Sequence, residues 1–201
     1  GSLVMFVGLF MLVLGLGDSL TQLSLPAIAQ ALEAGELSQS VFGLSGVDLR
    51  AVAFLLLFLG FAVKVPIVPF HTWLPDAHVQ APSPVSVILA GVLLKMGTYA
   101  LLRFNFTMLA DVATSSPVPE IIAAVGVISV IYGAMLALAQ RDLKRIVAYS
   151  SISSMGYVIV GLVAFTPDGM SGATFQMVSH GLISGLLFMS VGVLYNATHT
   201  R

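Results

Sequence analysis

Three titratable side chains stand where such groups are rare. Lys64, Lys95 and His180 each fall inside a long apolar run, in FAVKVPIVPF, GVLLKMGTYA and QMVSHGLISG. A charged side chain at mid-membrane costs about 2.5–3.5 kcal/mol on insertion scales, so two lysines in adjacent helices call for a function. A desolvated amine is no longer a permanent cation; it can take up and release a proton. Histidine, whose reference pKa is about 6.5, suits the same work. The type and depth of these groups thus point to a proton relay. Tyr149, Ser154 and Tyr157, on the preceding apolar run, either bond backbone carbonyls and glue helices together or hold waters that bridge titratable sites.

A backbone feature accompanies Lys64. Pro66 lacks the N–H that the Ala62 carbonyl would accept in a helix, and Pro69 does the same to Val65. Irregular backbone at membrane depth is tolerated where it is buried in protein or lines a wet cavity. The expectation is a broken helix whose freed oxygens and water stabilise the Lys64 ammonium. Next comes His71-Thr-Trp73-Leu-Pro75-Asp76-Ala-His78. Trp73 suits a membrane interface and Pro75–Asp76 a turn. His71, Asp76 and His78 lack a further ligand at a recognised metal-binding spacing, so they are read as fastening the loop. Ser83 is expected to cap the next helix, with Pro84 at its first position.

The elements that must position these groups follow from composition. Of the 201 residues 58% are hydrophobic and 8% charged, and the mean hydropathy is +1.02. Soluble domains are near a quarter charged, so this is a membrane protein. Eight Lys and Arg against nine Asp and Glu exclude the clustered basic surface that nucleic acid requires. Without cysteine there are no disulfides, no thiolate metal sites and no Cys-ligated iron–sulfur clusters, so if the protein takes part in redox chemistry the electrons are expected to travel elsewhere.

A span needs about 20 apolar residues. Six are predicted, near 3–17, 51–70, 84–102, 121–140, 146–165 and 172–195, with joints at 18–50, 71–83, 103–120, 141–145 and 166–171. The apolar runs are long and do not alternate, which excludes a barrel. The fold class is therefore all-α: a polytopic transmembrane helix bundle with one broken helix, 1–201 forming a single transmembrane domain. Arg141, Lys144 and Arg145 mark the short basic joint as cytoplasmic, or its stromal or matrix equivalent, together with His199–Arg201. The acidic 18–50 joint, with Asp18, Glu33, Glu36 and Asp48, then faces the other side, and its segment 19–42 reads as an interfacial helix. No Asp or Glu lies within the six spans, so a counter-charge for the lysines is expected from outside this sequence. Residues 1–17 read as a span that begins upstream.

Three stretches carry a specific resemblance. Lys64-Val-Pro66 through His78 and on to Lys95-Met-Gly, Asp142-Leu-Lys-Arg145-x-x-Ala-Tyr149-Ser-Ser151-Ile-Ser, and Gln176-Met-Val-Ser-His180-Gly-Leu together resemble the antiporter-like membrane subunits of complex I, in their chain M or subunit 4 type. That type includes the plastoquinone-using NDH-1 complexes of cyanobacteria and chloroplasts, and Mrp sodium/proton antiporters share many of the motifs. The resemblance implies an inverted-repeat fold, of which this chain supplies roughly the sixth to eleventh helices. It also implies that Lys64, Lys95 and His180 belong to a half-membrane proton path, completed by a glutamate upstream and a second broken helix downstream. Quinone, iron–sulfur clusters and an electron donor are expected in other subunits, with no cofactor on this chain. Its expected partners are lipid and other membrane subunits, including further antiporter-like ones, in a thylakoid or bacterial inner membrane. One position departs from the pattern: Ser154 stands where many members have histidine, which favours water held by Ser154 or Tyr157 over a second imidazole.

Overall fold

A computed structural model describes residues 1–17, 24–35, 37 and 39–198. The described residues are helical: α1 (Ser2–Leu16), α2 (Leu25–Glu33), α3 (Gly46–Lys64), α4 (Trp73–Gln80), α5 (Ser83–Ile88), α6 (Leu94–Ala100), α7 (Ala110–Ala113), α8 (Val118–Leu138), α9 (Leu143–Val163) and α10 (Pro167–Thr198). The segments Leu89–Leu93 and Leu101–Met108 are π-helical, so Ser83–Met108 runs as one long helix. Among the described residues five helices have the length and apolar composition to cross a membrane: Gly46–Lys64, Ser83–Met108, Val118–Leu138, Leu143–Val163 and Pro167–Ala197. Ser2–Leu16 is apolar but shorter. The protein is an all-α, multi-pass integral membrane protein.

Several boundaries differ from the sequence reading. The helix expected over 51–70 ends at Lys64, because a residue before proline is driven out of the α region and Val65 precedes Pro66. Lys64 is therefore the final helical residue rather than a mid-helix one. The 71–83 joint contains α4, and Pro75–Asp76 sits in its first turn, where proline lacks only a donor that would have gone unused. Pro82, not Ser83, is the cap of α5. The joint expected over 103–120 starts later, because the helix continues to Met108. Asn105 is buried and its side-chain amide donates to the Phe54 carbonyl at 2.9 Å, while the Thr107 hydroxyl turns back to the Leu102 carbonyl at 2.8 Å. Asp18, residues 19–23, Glu36, Ser38 and His199–Arg201 lie outside the described residues, and of the segment 19–42 that read as an interfacial helix the described part is helical over Leu25–Glu33 only.

The chain divides into two compact units. Unit 1 is residues 1–61 with 100–118. Met11, Val41 and Leu49 form its core, flanked by Leu37, Leu44, Val52 and Leu56. Arg50 ties this unit together: its guanidinium pairs with Asp111 at 2.7 Å and donates to the Leu32 carbonyl at the end of α2. Unit 2 is residues 62–99 with 119–201. Here α10 packs along α9 and crosses α5, and α4 also packs on α9. Two small cores fix those crossings. Leu74, Leu94 and Ile152 meet beside Tyr149, and Ala90, Val147 and Phe188 meet beside Val87. Asp142 caps α9, accepting from the amides of Lys144 at 2.8 Å and Arg145 at 3.3 Å.

Candidate functional site: a lysine–histidine pair beside a broken helix

The candidate site lies within unit 2. Its first part is the break after Lys64, where two carbonyls of the last α3 turn are not left free. The Ile67 amide reaches the Ala62 carbonyl at 3.3 Å, and the Trp73 indole N–H donates to the Val63 carbonyl at 2.8 Å. The Val68 amide donates to the Ser129 hydroxyl on α8 at 3.0 Å, and that hydroxyl donates on to the Val125 carbonyl at 2.8 Å. The sequence reading left the Ala62 oxygen orphaned and available to Lys64. The chain instead steps back by one residue, so a five-residue-spaced bond replaces the four-residue-spaced one that Pro66 removes. Lys64 itself is exposed on the surface of this chain, not buried, because the helix ends there and the side chain points outward.

The second part is built on the long Ser83–Met108 helix. Lys95 sits midway along it, two residues after the π-helical Leu89–Leu93. A π-turn bonds each amide five residues back, as Leu94 does to Leu89. The Lys95 ammonium donates to the Ala90 carbonyl, also five residues back, and lies 2.7 Å from Nδ1 of His180 on α10. At that separation one nitrogen donates to the other, so a proton sits between them. His180 is buried and Lys95 half-buried. The approach depends on Gly181: a Cβ there would lie 2.9 Å from the Gly91 carbonyl oxygen, so only glycine lets α10 come this near. Among the described residues neither Lys95 nor Lys64 pairs with a carboxylate.

Beside Lys95 lies a groove of roughly 780 Å³ between the Ser83–Met108 helix and α10, bordered by Lys95, Tyr99, Thr174, Met177 and apolar side chains. Ser151, Ser153 and Ser184 bond the carbonyls of Val147, Val130 and His180, which is the helix-gluing role. Tyr149 packs against the core around Leu94, Ser154 is half-buried and Tyr157 is exposed. Among the described residues no hydrogen bond joins Ser154, Tyr149 or Tyr157 to Lys95 or His180.

The loop-motif residues divide. Asp76 accepts from Arg145 at 3.3 Å, tying α4 to the start of α9. His71 is buried edge-on against Tyr132; burial lowers its pKa, partly offset by a backbone hydrogen bond at Pro69. His78 does not fasten the loop through its ring, because both ring nitrogens are buried without a hydrogen-bond partner. Burial, then the ammonium charges of Lys144 and Lys95, hold its pKa down to about 4. Its neighbour Phe188, stacked on the ring at 4.3 Å, gave no signal in sequence, being one apolar residue among many. No group of three or more His, Asp or Glu suited to a metal occurs among the described residues.

The family model for the membrane proteins described as NADH:quinone oxidoreductase/Mrp antiporter matches residues 1–201. The NADH-quinone oxidoreductase subunit M of Rickettsia typhi is 53% identical over 145 residues, covering 72% of this chain and 29% of that protein. The NAD(P)H-quinone oxidoreductase chain 4 of Acaryochloris marina is 51% identical over 178 residues, covering 87% and 33%. The chain thus spans about a third of the length of these relatives. Among solved structures, respiratory complex I from Thermus thermophilus superposes with a TM-score of 0.83 at 28% identity, over 99% of this chain and 39% of that one. The Mrp complex from Dietzia shares the fold, with a TM-score of 0.70 at 21% identity, over 94% of this chain and 33% of that one. With a match running from its first residue to its last, and close relatives in both bacterial and cyanobacterial quinone oxidoreductases, the chain belongs to the NADH:quinone oxidoreductase/Mrp antiporter membrane family.

Proposed function

We propose that this chain is the central part of a proton-translocating, antiporter-like subunit of a NAD(P)H- or ferredoxin-driven quinone oxidoreductase, of the complex I or NDH-1 type. The observation that carries this reading is the Lys95–His180 contact, at 2.7 Å. Two basic nitrogens that close cannot comfortably both hold a full charge. A proton arriving on one displaces the proton of the other, and the pair advances charge by one station. Lys64, on the outward face of the break, would receive or deliver that proton through a carboxylate of the longer protein. Redox chemistry, quinone and iron–sulfur clusters belong to other subunits in this reading, and the chain works beside further membrane subunits. Ser154 and Tyr157 would hold water along the path.

Replacing Lys95 or Lys64 by Ala in the full-length subunit tests this. Protons moved per quinone reduced should fall about tenfold or more while the complex assembles on native gels. Assembly failure without a specific pumping defect would favour a purely structural subunit. A second reading, a sodium/proton antiporter, is favoured by the breadth of the matching family, which includes Mrp antiporters. Stimulation of transport by sodium in the absence of quinone turnover would select it.

A further inference from the structure

His78 is the most deeply buried titratable group, among the described residues, that the path above leaves without a task. Its side chain is fully enclosed, at 0% exposure, and neither ring nitrogen has a hydrogen-bond partner. An orphaned buried polar atom costs about 1–3 kcal/mol, so a ring with two of them is an expensive way to fill space. Its setting is well fixed. Phe188 stacks on it with centroids 4.3 Å apart and planes 17° apart, the Ser86 hydroxyl donates to the His78 carbonyl at 3.3 Å, and Asp76 on the same helix is held by Arg145.

The charges around it come from two elements. From α9 there is Lys144, buried, whose ammonium donates to the Ala81 carbonyl at 2.8 Å; from α6 there is Lys95. From α10 the ring meets uncharged Phe188, with His180 about two turns earlier on that helix and bonded to Lys95. His78 therefore stands in the field of one lysine at the basic joint and of the other at the proposed proton station.

We propose that His78 is the input relay of this site, carrying protons from the Lys144 end of α9 to Lys95, with Phe188 holding the ring in register. The proposal rests on the function argued above. In the step, one ring nitrogen of neutral His78 takes a proton arriving from the joint, and the other ring nitrogen gives up its own to a neutral Lys95 amine across intervening water. The imidazole ends neutral as its other tautomer, Lys95 ends as ammonium, and one positive charge has moved inward. The field supplies a check on direction. While Lys95 is charged it repels a proton from His78, and once Lys95 is neutral that repulsion is gone. Input is thereby conditional on an empty station. The low pKa of His78 keeps the ring neutral and ready at pH 7.

The test compares His78→Ala, His78→Gln and Lys95→Ala in the full-length subunit of the assembled complex in vesicles, reading protons moved per quinone reduced. Both His78 variants should lose about tenfold or more, toward the roughly 10²–10⁴-fold that removing an acid–base group typically costs. Added imidazole should restore His78→Ala, which has a ring-sized void, but neither of the other two. If His78→Gln pumps normally while Lys95→Ala does not, the relay is overturned and the path stands. If His78→Ala loses pumping and imidazole does not restore it, the ring is only packing and the relay is again overturned. Normal pumping by Lys95→Ala overturns the underlying function. Where His78→Ala does not assemble, the size-matched His78→Gln decides: a loss with quinone reduction intact sustains the relay, and unchanged pumping removes it.

Discussion

Gly97 touches Lys64: a Cβ on Gly97 would lie 3.3 Å from Lys64 Cγ and 2.8 Å from Val65 Cγ2. The helix that carries Lys95 is therefore pressed against the break that carries Lys64, two residues on from the proposed station. Gly97→Ala must push the Val65–Pro66 step aside. The expected cost is about 1–3 kcal/mol, typical of an overpacked contact, and the readout is a lower thermal midpoint of the solubilised complex. Pumping should fall more than quinone reduction, because Lys64 is displaced. A variant with both quantities unchanged would show that the contact is slack.

Trp73 closes the broken helix. Its indole donates to the Val63 carbonyl at 2.8 Å, across the turns that follow Lys64. Trp73→Phe keeps most of the ring and removes that one bond, worth about 1 kcal/mol net. Hydrogen exchange at the Ile67 and Val68 amides should then quicken by about fivefold, since their own bonds to Ala62 and Ser129 depend on the same turn. Ser129→Ala should quicken Val68 and leave Ile67 near its original rate.

Acid sensitivity should trace to His78. Its pKa is about 4 in the folded chain, against 6.5 for the free side chain. Between those values the unfolded chain binds more protons than the folded one, so stability rises with pH. The contribution is complete above about 6.5 and is lost as pH falls toward 4. It amounts to about 3 kcal/mol, from 1.36 kcal/mol per pKa unit. Thermal unfolding of the complex between pH 7.5 and 4.5 checks this. Wild type should lose stability relative to His78→Gln as pH falls, and parallel curves would contradict it.

Much of the fold was legible because apolar length and breaker residues report directly on membrane spans. The spans 121–140, 146–165 and 172–195 are present with shifted ends, and Lys95 and His180, read from different helices, do meet. The errors share one physical origin: a side chain's partners are not visible in its own neighbourhood. The break at Pro66 is legible in the sequence, but the partners that settle it, Trp73 for the Val63 carbonyl and Ser129 for the Val68 amide, are not. Asn105 falls in the joint expected over 103–120, and its acceptor, the Phe54 carbonyl, is 51 residues away in sequence. His78 sat in a polar motif and read as a fastener; only the stacked Phe188 and the two lysines of unit 2 mark it as something else.

The central claim is that Lys95 gives up and regains a proton at the His180 contact, and Lys95→Arg in the full-length subunit tests it most directly. Arginine keeps the positive charge and the hydrogen-bond donors but does not deprotonate in proteins. Measured as protons moved per quinone reduced in vesicles, pumping by Lys95→Arg should fall as far as that of Lys95→Ala. Pumping at the wild-type ratio in Lys95→Arg would mean that the charge alone matters, and would contradict the account.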